Sequence, residues 1–122
     1  MKTFLLLALF SFFSVLGLAQ SVATIDKSWK IVPNENVCMV TEAYFPRPQI
    51  PVKVDGKTYY GCCENCKASL ANDKKTRTAK DALTGKAVDK ATSVIAANDA
   101  GYILYFENKS NFEKYLEKIS KK

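Results

Sequence analysis

Histidine is absent from all 122 residues. That removes the side chain most used for acid–base work near neutral pH and the commonest nitrogen ligand for metals, so a metal site in this chain is built of sulfur, completed at most by an acid or water. Long apolar runs are confined to one, Phe4 to Leu18, about 15 residues and short of the roughly 20 needed to span a bilayer. No nucleophile and base pair, no carboxylate pair in a motif context and no phosphate-binding glycine loop can be found, which argues against an enzyme. Aromatic residues do not interleave with the densest basic groups, Lys74-Lys75-Thr76-Arg77 and the tail Lys118, Lys121 and Lys122. A nucleic-acid groove is therefore not expected, and these lysines read as a solvated surface.

The one apolar run is a targeting segment. Lys2 supplies a positive start, Phe4 to Phe13 is almost wholly apolar, and Gly17-Leu18-Ala19 places small residues where a signal peptidase cuts. Residues 1 to 19 are thus expected to leave, giving an exported, periplasmic or secreted, chain with no stable membrane insertion; no cysteine stands at the cut for a lipid anchor. Cleavage takes one of the 18 basic residues and none of the 12 acidic ones, leaving 17 against 12 and a net charge of +5. What remains is long enough to bury an ordinary core, whereas two independent sub-domains of half that size are not.

The four cysteines stand at 38, 62, 63 and 66. Residues 20 to 33 read as an extended lead-in, and the prolines 46, 48 and 51 make a non-helical loop. Val52 and Val54 alternate with Pro51 and Lys53, Asp55-Gly56 is a two-residue turn signal, and Thr58-Tyr59-Tyr60 returns, which predicts a hairpin. Gly61 ends it, and Cys62 to Asn72 is expected to be a helix. A polar connector leads to a turn at Thr84-Gly85. A second hairpin is expected from Ser93–Ala97 and Tyr102–Phe106, and then a helix opened by a Ser110/Glu113 capping box, with Phe112, Tyr115, Leu116 and Ile119 on one face.

The two halves share one order: knuckle, hairpin, helix. Aligning Cys62 with Glu107 and Cys66 with Asn111 brings Cys38 opposite Thr84, so the second copy carries no thiolate. The fold expected is α+β, two small ββα units, 34–76 metal-binding and 77–122 degenerate. Cysteines at a helix start have their thiolates favoured by the positive helix end. Cys62 and Cys66, four apart, then face one ion, with the Cys38 knuckle closing over it. Cys63 is a fourth ligand only if that turn is distorted, and the Met39 thioether is a further candidate. An all-sulfur set selects soft ions: Cu(I) with two or three thiolates, Zn(II) with four, or a toxic thiophilic ion.

Cys38-Met39 followed by Gly56-Lys57-Thr58-Tyr59-Tyr60-Gly61-Cys62-Cys63-Glu64-Asn65-Cys66 resembles the YHS and TRASH metal-binding domains, whose pattern is one cysteine, a hairpin, then cysteine-x3-cysteine. The chain departs from it in lacking the glycine of a Cys-Gly-Met knuckle and in having Gly61 where the family has phenylalanine. Asp81-Ala82-Leu83-Thr84-Gly85-Lys86-Ala87-Val88 is similar to the same knuckle with its cysteine and methionine replaced. The resemblance implies a treble-clef-like unit that binds metal through Cys38, Cys62 and Cys66, with a transporter or other metal-handling protein as partner. A structural zinc module that serves only as a protein-interaction platform would share the site but not the purpose, and two further readings compete. One is a disulfide-stabilised interaction domain, since exported cysteines usually pair. The other is a thiol-disulfide oxidoreductase using Cys63 and Cys66, which the confinement of proline to positions at or before Pro51 and the antiparallel hairpin disfavour.

Overall fold

The computed structural model describes residues 28–121. The proposed signal peptide and most of the lead-in lie outside those residues. The rest is an α+β chain of nine short strands and two α-helices.

The lead-in ends in a strand, β1 (Lys30–Val32), followed by a 3-10 turn over Asn34–Asn36. Two minimal strands, β2 (Val37–Cys38) and β3 (Ala43–Tyr44), pair as a knuckle. Strands β4 (Ile50–Val54) and β5 (Lys57–Gly61) form the expected hairpin. Asp55 and Gly56 both have positive φ, 52° and 78°, the two-residue turn whose twist matches that of the flanking strands. The first helix, α1 (Glu64–Asn72), begins two residues later than expected, because Cys63 is still extended at φ −156° and ψ 173°.

The connector after α1 is more ordered than its polarity suggests. Lys74–Arg77 forms a 3-10 turn opened by Asp73, whose side chain accepts from Lys75 N–H. Thr78–Lys80 is a strand, β6, paired with β7 (Ala87–Asp89). Strands β8 (Val94–Ala97) and β9 (Ile103–Phe106) make the second hairpin, and α2 spans Lys109–Ser120. Its cap is Asn108, whose side chain accepts from Asn111 N–H at 2.8 Å. The expected Ser110/Glu113 capping box is two residues out of place, since both residues are already helical.

The order from β2 to α1 thus recurs from β6 to α2, yet the two stretches are not separately packed. Strand β1 joins the second hairpin, in the order β1-β8-β9, with Val32 opposite Ile95. Because β8 is covered on both sides, Ile95 and Ala97 face the main core while Ala96 faces a smaller cluster with Phe106 and Phe112. The main core mixes Val37, Met39, Val52, Tyr59 and Leu70 with Ile95, Ala97 and Tyr105. Polar contacts cross at the same place: Asn34 Nδ2 donates to Ser93 O at 3.1 Å, and Tyr59 Oη donates to Asp89 at 2.8 Å. Among the described residues no helix is long and apolar enough to cross a membrane.

Candidate metal centre

Three backbone features converge on one point. The knuckle places Cys38 at the end of β2, and Glu42 N–H closes the turn by donating to Cys38 O at 2.9 Å. Met39 N–H donates to Tyr60 O at 2.9 Å, which fastens that knuckle to the end of β5. Past β5 the chain runs through Cys62 and Cys63 into α1, and Cys66 lies in the first turn. Gly61 makes the convergence possible. A Cβ there would stand 2.9 Å from the Cys66 Cβ, a distance side chains do not sustain.

The sulfurs of Cys38, Cys62 and Cys66 all lie within 4.8 Å of one another. Cys66 is the hub, with Cys62 Sγ at 3.7 Å and Cys38 Sγ at 3.8 Å. Metal–thiolate bonds of about 2.3 Å in a tetrahedral or trigonal arrangement separate their sulfurs by about 3.8 to 4.0 Å. The three side chains therefore fit a single thiophilic ion without rearrangement of the backbone. Cys38 and Cys66 are buried, while Cys62 is exposed, so the site opens to solvent on one side.

Cys62 reaches this position differently from the expected way. It precedes the helix in extended chain and does not share a helical face with Cys66. Cys63 is also exposed and stands 3.4 Å from Cys66 Sγ, outside the mutual triad. Met39, the other candidate, is wholly buried and packs in the main core. The segment after Cys38 folds back on it, since Ala43 pairs with Cys38 across β2 and β3.

Charge is shared unequally among the thiols. Burial alone would raise Cys38, but donors from Thr41 and Val40 N–H and the Cys62 thiol outweigh it and bring Cys38 down to about 7. Cys66 is pushed up to about 12 by burial and by its hydrogen bonds to Cys63, Cys62 and Cys38. Cys62 is also raised, first by its hydrogen bond to Cys38 and then by burial. Cys63 is lowered, first by the facing Cys66 N–H, which does not form a cap hydrogen bond with it, and then by the Cys66 thiol. The donors at Cys38 thus favour the thiolate there over that at Cys66.

No family model, curated protein or solved structure matches this chain.

The second half shows what occupies the same framework without sulfur. Ala82 N–H donates to Tyr105 O at 2.9 Å as Met39 N–H does to Tyr60 O, and Gly85 N–H donates to Asp81 O as Glu42 N–H does to Cys38 O. Asn108 has φ −156° and ψ 172°, within a degree of Cys63. Hydrogen bonding therefore sets Asp81, not Thr84, opposite Cys38; the register at Glu107 and Asn111 is as aligned. The Asp81 carboxylate, 2 % exposed, accepts from Leu83, Thr84 and Glu107 N–H and from Asn111 Nδ2 at 2.7 to 3.0 Å. Despite burial, these donors hold it below the ordinary carboxylate range. One carboxylate thus joins knuckle, strand end and helix start, the three parts that converge on the cysteines in the first half. Sequence reading passed over Asp81, although an Asp bonded to N–H groups two and three residues on is a recognisable turn pattern. Lys90 gave no local signal at all, because its partners lie about fifty residues away at Met39 and Glu42.

Proposed function

We propose that this chain binds one soft metal ion through Cys38, Cys62 and Cys66 and serves in the trafficking, sensing or resistance of that ion. The observation that carries this is the mutual approach of three sulfurs delivered by a knuckle, a strand end and a helix start. A histidine-free, all-sulfur set with one open side suits Cu(I) or Zn(II), with Cys63 near enough to complete a four-sulfur shell for zinc. The role is binding, not catalysis, and its partner is a transporter or another metal-handling protein. Export by cleavage near Ala19 and kinship with the YHS and TRASH domains, as treble-clef-like units, belong to the same reading; the apolar run ending in Gly17-Leu18-Ala19 supports the first, and the motif at Cys38 and at Gly56 to Cys66 the second.

Native mass spectrometry with metal analysis, on chain purified without oxygen, tests it. One ion per chain is expected, lost in Cys38→Ser, Cys62→Ser and Cys66→Ser. Unchanged stoichiometry and affinity in all three variants would sink the site, as would two intact disulfides in chain purified natively.

A further inference from the structure

The knuckle that carries Cys38 turns through Glu42 at φ 60°. A residue other than glycine stays in this left-handed region when its surroundings hold it there, and such strain gathers at functional sites. At the matching turn of the second half stands Gly85, φ 77°, for which the conformation is free of strain. What holds Glu42 comes from that second half. Lys90 is 4 % exposed, and its Nζ donates to Met39 O at 2.6 Å and to Glu42 Oε1 at 2.8 Å. The ammonium thus grips both ends of the turn that follows Cys38. Its own backbone is anchored, since Lys90 N–H donates to Arg77 O at 2.9 Å and Ser93 Oγ donates to Lys90 O at 2.9 Å. The Tyr105 ring lies 5.4 Å from the ammonium.

We propose that Lys90 is a positioning residue for the metal site: by latching Glu42 and Met39 it holds the Cys38 sulfur against Cys62 and Cys66, and so sets how fast a bound ion leaves. This rests on the metal-binding reading above. Taking away the Glu42 carboxylate leaves the buried ammonium an uncompensated charge, held by Met39 O alone. Cys38 is the ligand most exposed to its loss, because Cys62 follows directly on β5 and Cys66 lies within α1. The half without cysteines thereby acts on the site without touching the ion.

The experiment loads the full chain with Cd(II), whose thiolate charge-transfer absorption reports Cd–S bonds, and times release into excess chelator. Glu42→Ala removes the carboxylate while keeping a Cβ at the strained position, and Lys90→Met removes the ammonium. Lys57→Met is the control: it breaks another ion pair between the halves, Lys57 to Asp89 at 2.8 Å, and leaves Lys90, Glu42 and Met39 in place. All should bind one Cd(II), with release faster by about tenfold or more in the first two, the scale seen when outer-shell partners of metal ligands are removed, and unchanged in the control. Wild-type release from Glu42→Ala overturns the proposal, and so does equal acceleration in Lys57→Met, which would mark general loosening. Should Lys90→Met not fold, Glu42→Ala decides. A wild-type chain without the Cd–thiolate absorption removes the metal-binding reading along with the latch, whereas binding with latch-independent release removes the latch alone.

Discussion

Among single residues, the division of charge between Cys38 and Cys66 has a measurable consequence. A metal ion takes thiolates, so each thiol still protonated must give up its proton on binding. Cys66, pushed up to about 12, keeps its proton throughout the physiological range and always has one to release. Cys38, brought down to about 7, has one to release below neutrality and none well above it. The raised group therefore makes affinity climb with pH across the whole range, while the contribution of Cys38 to that climb fades as pH rises through 7. A plot of log affinity for Zn(II) against pH should be steeper below 7 than above, by about one proton. A slope constant from pH 5 to 9 would show that Cys38 is not the charged sulfur of the free site.

At the scale of elements, the two helix starts have the same backbone and different caps. Asn108 caps α2 with its side chain, whereas no side-chain hydrogen bond caps α1 from Cys63. Since an Asn cap is worth about 1 kcal/mol over a non-capping residue, Cys63→Asn should stabilise the reduced, metal-free chain by up to that amount, read from its urea midpoint. It should keep one ion per chain; losing the ion would make Cys63 a ligand. The two hairpins and two helices were legible in advance because their signals are local: alternation about Val52 and Val54, Asp55-Gly56, and the spacing of Phe112, Tyr115 and Leu116. The start of α1 was misjudged because nothing local distinguishes extended Cys62 and Cys63 from a first helical turn. The triad itself was legible as spacing, but the equivalence of Cys38 with Asp81 was not. It is expressed in backbone hydrogen bonds, and the two knuckles and hairpins differ in their offsets along the chain. Strands β6 and β7 were hidden for a related reason. They are three residues long and none of their residues is fully buried, so alternation had no room to show.

For the whole molecule, the repeated element order invites division near residue 76, and the packing forbids it. Val32 of β1 lies opposite Ile95 in β8, and Met39, Val52 and Leu70 share their core with Ile95, Ala97 and Tyr105. Cutting the chain there would expose the apolar faces of both parts and leave Lys90, 4 % exposed, without Glu42 and Met39. Fragments of this size bury too little surface to offset their chain entropy unaided. The fragment 28–76, which contains all four cysteines, should therefore be unfolded without metal, with random-coil amide shifts and no cooperative urea transition. The full chain should unfold in a single step. A core truncation in the cysteine-free half then reaches the site: Ile95→Ala, at a fully buried position, should cost about 2–5 kcal/mol and hasten ion loss through global unfolding. A fragment 28–76 that folds and binds the ion as tightly as the full chain would overturn this, and would make the second half an appendage of the site instead of part of its frame.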